Sequence, residues 1–383
     1  MNKYGGVTDD ALRKSRDDGN DINLRLEAVH GVACELYQRL DDLVQGDADD
    51  LDLLPVKKHE RIDRGSLKVR TLTCEEPMQQ CYDHLAVLGL RPLLHAKLLP
   101  WQFASIPGKG QTGGTRQLYR WLNKKAAHTN HAEKVDVHHA YQNTTADAIM
   151  ALLRKDIPRA AWQLALVAAL LATDLDGALL IGSYLSAWLF NYVMSRFLRH
   201  ILEMAKVRRG VARKLVDKLL AYMDDVTMFS DRQADLLMAI KQGGKWLKQR
   251  LGLELKPEVQ LIGFVSIDEE RRRRKEKRPS ARGCPGLDMM GYVVHRTYVT
   301  IRPRVFLKAR RQYLRATRDL EKTGRVPLYR AFKLTSYYGP FKNTNSRKAQ
   351  EHLDVQRLVK IAKATIAQAT RARATKQKGM IIA

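Results

Sequence analysis

The chain has 383 residues and a hydrophobic content of 45%, a composition that excludes an intrinsically disordered protein and predicts a sizeable folded core. This length exceeds one compact core, so we expect two or three subdomains. The formal net charge of +26 predicts a polyanionic partner, with nucleic acid as the first candidate and an acidic membrane surface as the second.

The cysteines and the apolar segments indicate a cellular compartment. None of the four cysteines (Cys34, Cys74, Cys81 and Cys284) belongs to a CxxC pair, so we expect reduced thiols in a cytoplasmic protein rather than a zinc site. The first residues lack the apolar core of a signal peptide. The most apolar stretch, AAWQLALVAALLAT, is too short to cross a bilayer, so we expect a buried helix and no membrane partner.

The first third of the chain combines helices with short strands. Residues 1–60 hold 8 Lys and Arg against 14 Asp and Glu, and their apolar residues recur at helical spacing, which predicts an acidic helical N-terminal extension. After it we predict a strand or hairpin in SLKVRTLTCEEP and a helix in MQQCYDHLAVLGLRPLLHAKLL. A glycine-rich loop, SIPGKGQTGGT, then precedes another helix.

The central region mixes strands with apolar helices. EKVDVHHAYQNT begins as a strand, and residues 159–172 and 184–206 are predicted to form two long apolar helices. LLAYMDDVTMFS predicts a strand, a turn and a second strand, and LELKPEVQLIGFV predicts a strand pair. Residues 271–282, with eight Lys and Arg and one Glu, are predicted to form a basic loop. LDMMGYVVHRTYVTIRP predicts a hairpin.

The C-terminal residues 301–383 hold 21 Lys and Arg against 4 Asp and Glu, and they are predicted to be mostly helical. This excess of positive charge favours a grip on a phosphate backbone. One basic stripe recurs at helical spacing: Arg304, Lys308, Arg311 and Arg315. Aromatic residues alternate with bases in YRAFKLTSYYGPFK, a mix that suits backbone tracking with base stacking. The alternative is a helical bundle with a charged surface.

Two adjacent carboxylates, Asp224 and Asp225, lie between apolar runs of this basic chain. One interpretation is an exposed turn, because Asp is a common turn residue. The other depends on Asp136, which ends the strand predicted in EKVDVHH. If that strand pairs with the hairpin, three carboxylates converge and need divalent cations to offset their repulsion. Hard oxygen ligands suit Mg²⁺, and two such ions about 4 Å apart can bind an attacking 3′-hydroxyl and a leaving pyrophosphate.

Five segments resemble the sequence blocks of reverse transcriptases and occur in the family's order. They are DVHHAYQNT (third block), LIGSYLSAWLFNYV (fourth), AYMDD (fifth), LGLELKPEVQLIGF (sixth) and LDMMGYVV (seventh, the primer grip). LKVRTLT and FASIPGKGQ also resemble the fingers blocks, so the match covers roughly residues 65–300 and is specific as a set. The compact form resembles bacterial reverse transcriptases of retrons, diversity-generating retroelements and phage-defence systems. Ile181 and Ala187 stand where members of this branch or of the wider family place Gln.

The resemblance implies a two-metal active site for DNA synthesis. Asp136, Asp224 and Asp225 would be catalytic and, with the Val137 carbonyl nearby, would hold two Mg²⁺ ions, with Mn²⁺ as a second candidate. Tyr141, five residues after Asp136, would exclude a ribose 2′-hydroxyl and so favour dNTPs; the alternative is an ordinary core tyrosine. Further dNTP contacts are implied for Lys68, Arg70, Ile181, Gly182, Ser183 and Lys256. For Lys68 and Arg70 a solvated strand edge is an equal alternative.

Contacts with nucleic acid are implied at several positions outside this centre. They comprise Lys109 in the glycine-rich loop, Arg271, Arg272, Arg273 and Arg274 in the basic loop, Gly291 and Tyr292 in the primer grip, and the basic stripe of Arg304, Lys308, Arg311 and Arg315. The alternative for the basic loop is a solvated segment without a ligand.

Together these features predict an α+β fold of the right-hand polymerase type. Residues 1–60 would form the acidic helical extension, 61–130 the fingers, 131–300 an antiparallel-sheet palm, and 301–383 a basic helical thumb and tail. The expected function is RNA-directed DNA synthesis on a dedicated noncoding RNA in a bacterial retroelement or anti-phage defence system, with a partner protein as a further candidate. Alternatives are a template-independent or protein-primed DNA polymerase of abortive-infection type and a non-catalytic RNA-binding scaffold. Tyr141 disfavours an RNA-dependent RNA polymerase.

Overall fold

The computed structural model describes residues 19–47, 51, 53–62, 69–125, 128–174 and 176–381, and only the backbone of 19–29, 70 and 373–381. In this part of the chain helices dominate and the sheets are small. The described helices are α1 (Gly19–Gln45), α2 (Pro77–Lys97), α3 (Gly110–Leu122), α4 (Ala146–Asp156), α5 (Ala161–Ala172), α6 (Tyr184–Glu203), α7 (Gln233–Leu251), α8 (Ile267–Lys275), α9 (Pro303–Thr323), α10 (Leu328–Lys342), α11 (Arg347–His352) and α12 (Val355–Ile381). None of these helices combines the length and apolar character that a membrane crossing requires.

The described strands form four sheets. They are β1 (Lys57–Ile62), β2 (Val69–Cys74), β3 (His131–Asp136), β4 (Ala205–Arg208), β5 (Val211–Lys214), β6 (Lys218–Tyr222), β7 (Asp225–Ser230), β8 (Gln260–Gly263), β9 (Leu287–Met289), β10 (Tyr292–Val294) and β11 (Val299–Ile301). A four-stranded sheet has the order β6-β7-β3-β8, a three-stranded sheet has the order β11-β10-β9, and β1-β2 and β4-β5 form two-stranded sheets. β3 and β8 run antiparallel, with Lys134 opposite Gln260.

The described residues divide into two compact units. The first comprises those within Met1–Ile106, Val135–Val226 and Leu237–Val259, and the second those within Pro107–Lys134, Thr227–Leu236 and Gln260–Ala383. The division into extension, fingers, palm and thumb stays a prediction.

The core of the first unit is built around α6, which packs against α2. Residues 185–195 of α6 are all buried, because the helix carries apolar side chains around most of its circumference. Ser183 starts the helix: its hydroxyl accepts the Ser186 N–H at 3.1 Å and so satisfies one backbone donor of the first turn. The two apolar helices expected from the sequence are thus present as α5 and α6.

The second unit contains a helical bundle of α9, α10 and α12. Its core includes Tyr313 of α9, Phe341 of α10 and Leu358 of α12, all buried. The Tyr313 hydroxyl donates a hydrogen bond to the Leu334 carbonyl at 3.0 Å, so the buried ring keeps its polar end satisfied. The basic, mostly helical C-terminal region expected from the sequence is confirmed for the described residues.

The basic loop predicted over residues 271–282 is helical in its first part, since α8 extends to Lys275. Ser266 caps this helix by accepting the Glu269 N–H at 3.1 Å. Acidic residues occupy the first turn and arginines the last, which matches the helix dipole. Glu269 also pairs with Arg272 and Arg273, one turn away. We predicted a loop from the run of like charges over residues 271–282, whereas the compensating carboxylates precede that run.

The buried carboxyl of Glu133 on β3 makes the free energy of unfolding depend on pH. Its side chain is 1% exposed, and its Oε2 atom has no hydrogen-bond partner among the described residues. Burial raises the pKa of Glu133 from 4.5 to about 7. The folded state therefore holds this proton to higher pH than the unfolded chain, and stability falls as the pH rises from about 4.5 to about 7.

We expect Glu133→Gln to remove this loss, because the amide is neutral at every pH in the window. In urea unfolding at pH 8 the variant should be more stable than the parent by up to about 3 kcal/mol, and the difference should shrink at pH 5. Exposed Glu258, replaced in the same way, is the control and should change neither value. A stability difference between variant and parent that is the same at both pH values would contradict the assignment.

Candidate active site

The two adjacent carboxylates lie at the tip of a β-hairpin. β6 ends at Tyr222, β7 begins at Asp225, and Met223 and Asp224 form the turn. Met223 has a φ of +56°, a left-handed conformation that two-residue hairpin turns require but that a non-glycine residue rarely adopts. The flanking strand residues Leu220 and Val226 are fully buried. The hairpin is therefore anchored in the core, while Asp224 and Asp225 stay half-buried at its end.

Asp136 lies beside this turn because β3 is the neighbour of β7 in the sheet. The Val137 N–H donates a hydrogen bond to the Asp224 carbonyl at 3.2 Å. This bond joins the residue after Asp136 to the first aspartate of the pair. The strand pairing on which the convergence of the carboxylates depended is thus present in the fold.

Lys256 reaches the same place from the opposite side of β3. The backbone N–H of Lys256 donates a hydrogen bond to the Asp136 carbonyl at 2.8 Å, and the side-chain Nζ lies 3.7 Å from the Asp136 carboxylate. Val137 also bridges Leu255 in antiparallel fashion. The segment of the sixth block is thereby fixed against Asp136, and Lys256 adds a positive charge that offsets part of the local negative charge.

The donor atoms of this centre suit a hard divalent cation. Asp136, Asp224, Asp225 and the Val137 carbonyl offer oxygen ligands, the type that Mg²⁺ prefers. Within the described part of the chain no group of three or more His, Cys, Asp or Glu residues is arranged to hold a metal by itself. Mg²⁺ in phosphoryl-transfer sites is commonly bound by one or two carboxylates together with substrate phosphates rather than by a complete protein cage. A metal at this place would therefore need substrate oxygens in addition to these protein oxygens.

Tyr141 packs next to the hairpin turn. Its ring stacks on Phe190, with 5.2 Å between ring centroids, and its hydroxyl donates to Met223 Sδ at 3.8 Å. Burial, and secondly the negative charge of Asp224, raise the pKa of the Tyr141 hydroxyl, so the side chain is neutral at physiological pH. The contacts with Phe190 and Met223 therefore hold the ring beside the hairpin turn.

A buried amide network supports the strained turn, and no local sequence pattern indicates it. The Asn191 side chain donates to Met223 Sδ at 3.7 Å and to the Ala104 carbonyl at 3.1 Å. Gln102, which is fully buried, donates to the Asn191 carbonyl at 2.7 Å. Because these partners are some 30 to 90 residues apart in the chain, only the tertiary structure identifies them.

Gly182 lies in a turn that meets β2. It has a φ of +128°, and a Cβ atom added there would lie 3.0 Å from the Thr73 carbonyl oxygen. Thr73 donates two hydrogen bonds to the Ile181 carbonyl, one from its backbone N–H at 3.0 Å and one from its hydroxyl at 3.1 Å. A side chain there would require the Thr73 backbone to shift by a few tenths of an ångström, and the φ of +128° also disfavours any residue but glycine.

Replacing Gly182 with alanine should destabilise this turn by about 1–3 kcal/mol, because the residue would need both a disfavoured φ and a displaced strand. Gly177→Ala is the matched control, since Gly177 also has a positive φ of +61° but no atom within 4 Å of an added Cβ. Thermal unfolding of both variants should show the larger loss for Gly182→Ala. Equal losses would mean that the contact with Thr73 contributes nothing.

Ser183 has a structural partner that the sequence did not reveal. Its hydroxyl donates to Asp83 Oδ2 at 2.7 Å, and the Leu185 N–H donates to the same oxygen at 3.0 Å. Asp83 is 1% exposed, and burial raises the pKa of its carboxyl against the lowering effect of these hydrogen bonds. The Ser183 hydroxyl is therefore engaged in hydrogen bonds at the start of α6 and is not available to a nucleotide. The only sequence signal was a single acid, Asp83, among apolar residues of a predicted helix.

The other predicted dNTP contacts lie at the edge of the described chain. Lys68 is outside the described residues. Arg70 lies in β2 opposite Arg61, and its side chain is likewise outside the described part.

The predicted nucleic-acid contacts of the second unit differ in exposure. The glycine-rich loop ends earlier than expected, because α3 begins at Gly110; Lys109 precedes it half-buried, and burial lowers its pKa. Gly291 and Met290 have φ of +87° and +55° and form the turn between β9 and β10, whereas Tyr292 is buried within β10. Buried Tyr292 offers little surface to a duplex.

The basic residues of the two helices are more accessible. Arg304, Arg311 and Arg315 are exposed along α9, and Lys308 is half-buried. Arg271 and Arg272 are exposed on α8, where they pair with Asp268 and Glu269. Arg273 also pairs with Glu269, and Arg274 lies over the ring of Tyr298. The arginines of α8 therefore have intramolecular partners that a ligand would have to share or replace.

Comparison with known proteins adds no relative: the chain matches no family model and no curated protein.

Proposed function

We propose that the chain is an RNA-directed DNA polymerase with a right-hand architecture of fingers, antiparallel-sheet palm and helical thumb. The observation that carries the proposal is the hydrogen bond from the Val137 N–H to the Asp224 carbonyl, which brings Asp136 beside the Asp224–Asp225 turn. Tyr141 beside Asp224 supports dNTPs as the substrates, and the net charge of +26 supports a nucleic-acid template.

In this proposal the protein holds the reacting groups and leaves the charge neutralisation to metal ions. Two Mg²⁺ ions, when bound, would supply activation of the primer 3′-hydroxyl and stabilisation of the leaving pyrophosphate. Asp136 and Asp224 would hold these ions, and Asp225 and the Val137 carbonyl would contribute secondarily. Lys256, 3.7 Å from the Asp136 carboxylate, orients that carboxylate and adds positive charge near the phosphates. Tyr141 excludes the ribose 2′-hydroxyl.

The function is tested by extending a DNA primer on an RNA template with the purified chain, Mg²⁺ and dNTPs. We expect DNA complementary to the template, and none when the RNA or Mg²⁺ is omitted. Product that forms equally without RNA would favour a template-independent polymerase, and incorporation of NTPs in place of dNTPs would favour an RNA polymerase. Absence of any product would favour the RNA-binding scaffold.

We further propose that the template is a dedicated noncoding RNA of a bacterial retroelement or an anti-phage defence system, a proposal that rests on the resemblance alone. Sequencing the nucleic acids that copurify with the chain tests it. One enriched RNA species with DNA complementary to it is the expected result, whereas an unselective sample of cellular RNA would contradict it.

A further inference from the structure

A cationic cavity lies in the second unit, at the C-terminal end of α8. It has a volume of about 190 Å³, and four basic residues line it: Arg273, Arg274, Lys277 and Arg278. This volume is several times the space that one water molecule needs. That is enough for a phosphate group with part of a sugar, and far too little for a duplex. None of the residues that line it belongs to the carboxylate centre.

The one acidic residue that lines the cavity, Glu270, already accepts hydrogen bonds from the protein backbone. Glu270 Oε1 accepts a hydrogen bond from the backbone N–H of Arg296 at 3.3 Å, and Oε2 accepts one from the backbone N–H of Thr297 at 2.6 Å. Both oxygens of this carboxylate are therefore engaged by the turn between β10 and β11. Arg273 and Arg278 also pair with Glu269 and Glu276, which do not line the cavity, so four positive side chains against three carboxylates leave a net charge of +1.

The end of α8 does not repel an anion either. Its last carbonyls would present partial negative charge, but backbone N–H groups of the following residues cover them. Glu276, Lys277 and Arg278 donate to the carbonyls of Arg272, Arg274 and Arg273 at 3.0, 3.3 and 2.9 Å. The chain thus folds back over the helix end, and Lys277 adopts a φ of +54° in doing so. This turn brings Lys277 and Arg278 to the same cavity as the arginines of the helix.

An aromatic wall completes the cavity. The Arg274 guanidinium lies 4.9 Å from the ring centroid of Tyr298, and that ring stacks on His295 with 4.2 Å between centroids. Stacking on an aromatic ring restricts the motion of the guanidinium. Its N–H donors are therefore partly ordered before any ligand arrives, which lowers the entropy lost on binding.

We propose that this cavity binds a phosphomonoester dianion, supplied by the 5′ end of an RNA or by a free nucleotide. A terminal phosphate has three acceptor oxygens that can accept hydrogen bonds from several donors at once, and four basic side chains line this cavity. An internal phosphodiester exposes fewer oxygens and is usually tracked along an open groove. The proposal goes beyond the polymerase activity and is independent of it, because binding at this cavity needs neither the carboxylate centre nor synthesis.

The test compares two double variants that remove the same charge from the same segment. Lys277→Gln with Arg278→Gln alters the cavity, whereas Arg271→Gln with Arg272→Gln alters the exposed face of α8 outside it. The full-length chain is titrated with one short RNA carrying either a 5′-phosphate or a 5′-hydroxyl, and separately with AMP and inorganic phosphate. No dNTPs are present, so failure of this test is distinct from failure of the polymerase proposal.

We expect the parent to bind the 5′-phosphorylated RNA about tenfold more tightly than the 5′-hydroxyl RNA, as charge-assisted hydrogen bonds would provide. The cavity variant should lose this preference, and the face variant should keep it while both RNAs bind more weakly.

Competition by AMP but not by a 5′-hydroxyl RNA would identify a free nucleotide as the source. Equal affinity of the parent for the two RNAs, with no binding of AMP or phosphate, would overturn the proposal. Loss of the preference in both variants would also overturn it, since general electrostatics would then suffice.

Cys284 gives a second readout inside the same molecule. It lines the cavity as a partly buried free thiol, and Cys34 is an exposed free thiol far along the chain. AMP or the 5′-phosphorylated RNA should slow the reaction of Cys284 with a maleimide and leave the reaction of Cys34 unchanged. Unaltered labelling of Cys284 at ligand concentrations that saturate binding would place the ligand elsewhere and refute the assignment.

Discussion

Replacing Asp224 with asparagine is expected to reduce DNA synthesis by about 10³-fold or more, because the amide supplies no negative charge to a metal between primer and nucleotide. The shape of the side chain is nearly unchanged. The bond from the Val137 N–H involves the Asp224 backbone carbonyl, so the variant should also keep the strand pairing. Primer extension on RNA measures the loss, and thermal unfolding checks that the variant is folded.

The matched control for this substitution is Asp217→Asn, an exposed acid just before β6. It removes the same charge and should leave synthesis within about twofold of the parent, as expected for a surface substitution. Full activity of Asp224→Asn would exclude the two-metal centre. If the biological effect of the protein also survived, the RNA-binding scaffold would become the better interpretation.

Removing the ring of Tyr141 is expected to change sugar selectivity rather than the overall chemistry. With Tyr141→Ala the incorporation of NTPs relative to dNTPs should rise by about 10- to 100-fold, because the space beside Asp224 would admit a 2′-hydroxyl. The ring also stacks on Phe190, so the variant should lose some stability through the cavity it creates. The ratio of kcat/KM values for the two nucleotide types is unaffected by how much of the protein is folded.

Tyr141→Phe separates the ring from the hydroxyl. It retains the stack on Phe190 and loses only the contact with Met223 Sδ, so the preference for dNTPs should remain within a few-fold of the parent. An unchanged nucleotide ratio in Tyr141→Ala would show that Tyr141 is an ordinary core residue, which was the alternative considered from the sequence. Relaxed selectivity in the phenylalanine variant would assign the effect to the hydroxyl instead.

Local pattern was sufficient where neighbouring residues in the chain determine the outcome. The apolar runs around Asp224 and Asp225 predict the two strands of the hairpin, and the long apolar segments predict α5 and α6. Side-chain periodicity carries this information, because burial of one face requires it. The prediction of a loop for the arginines of α8 was wrong although their pairing is also local, because Glu269 lies three and four residues before Arg272 and Arg273 and outside the run of like charge over residues 271–282.

The sequence by itself determined the elements and the candidates: a carboxylate pair on a hairpin, a third carboxylate at a strand end, and a basic C-terminal region. Only the tertiary structure decided their surroundings. It joined Val137 to Asp224, committed Ser183 to Asp83, placed Asn191 against Met223, and folded residues 276–278 back to form a cationic cavity. The physical reason is that most of these contacts join residues far apart in the chain, whose partners depend on how strands and helices pack rather than on any local period.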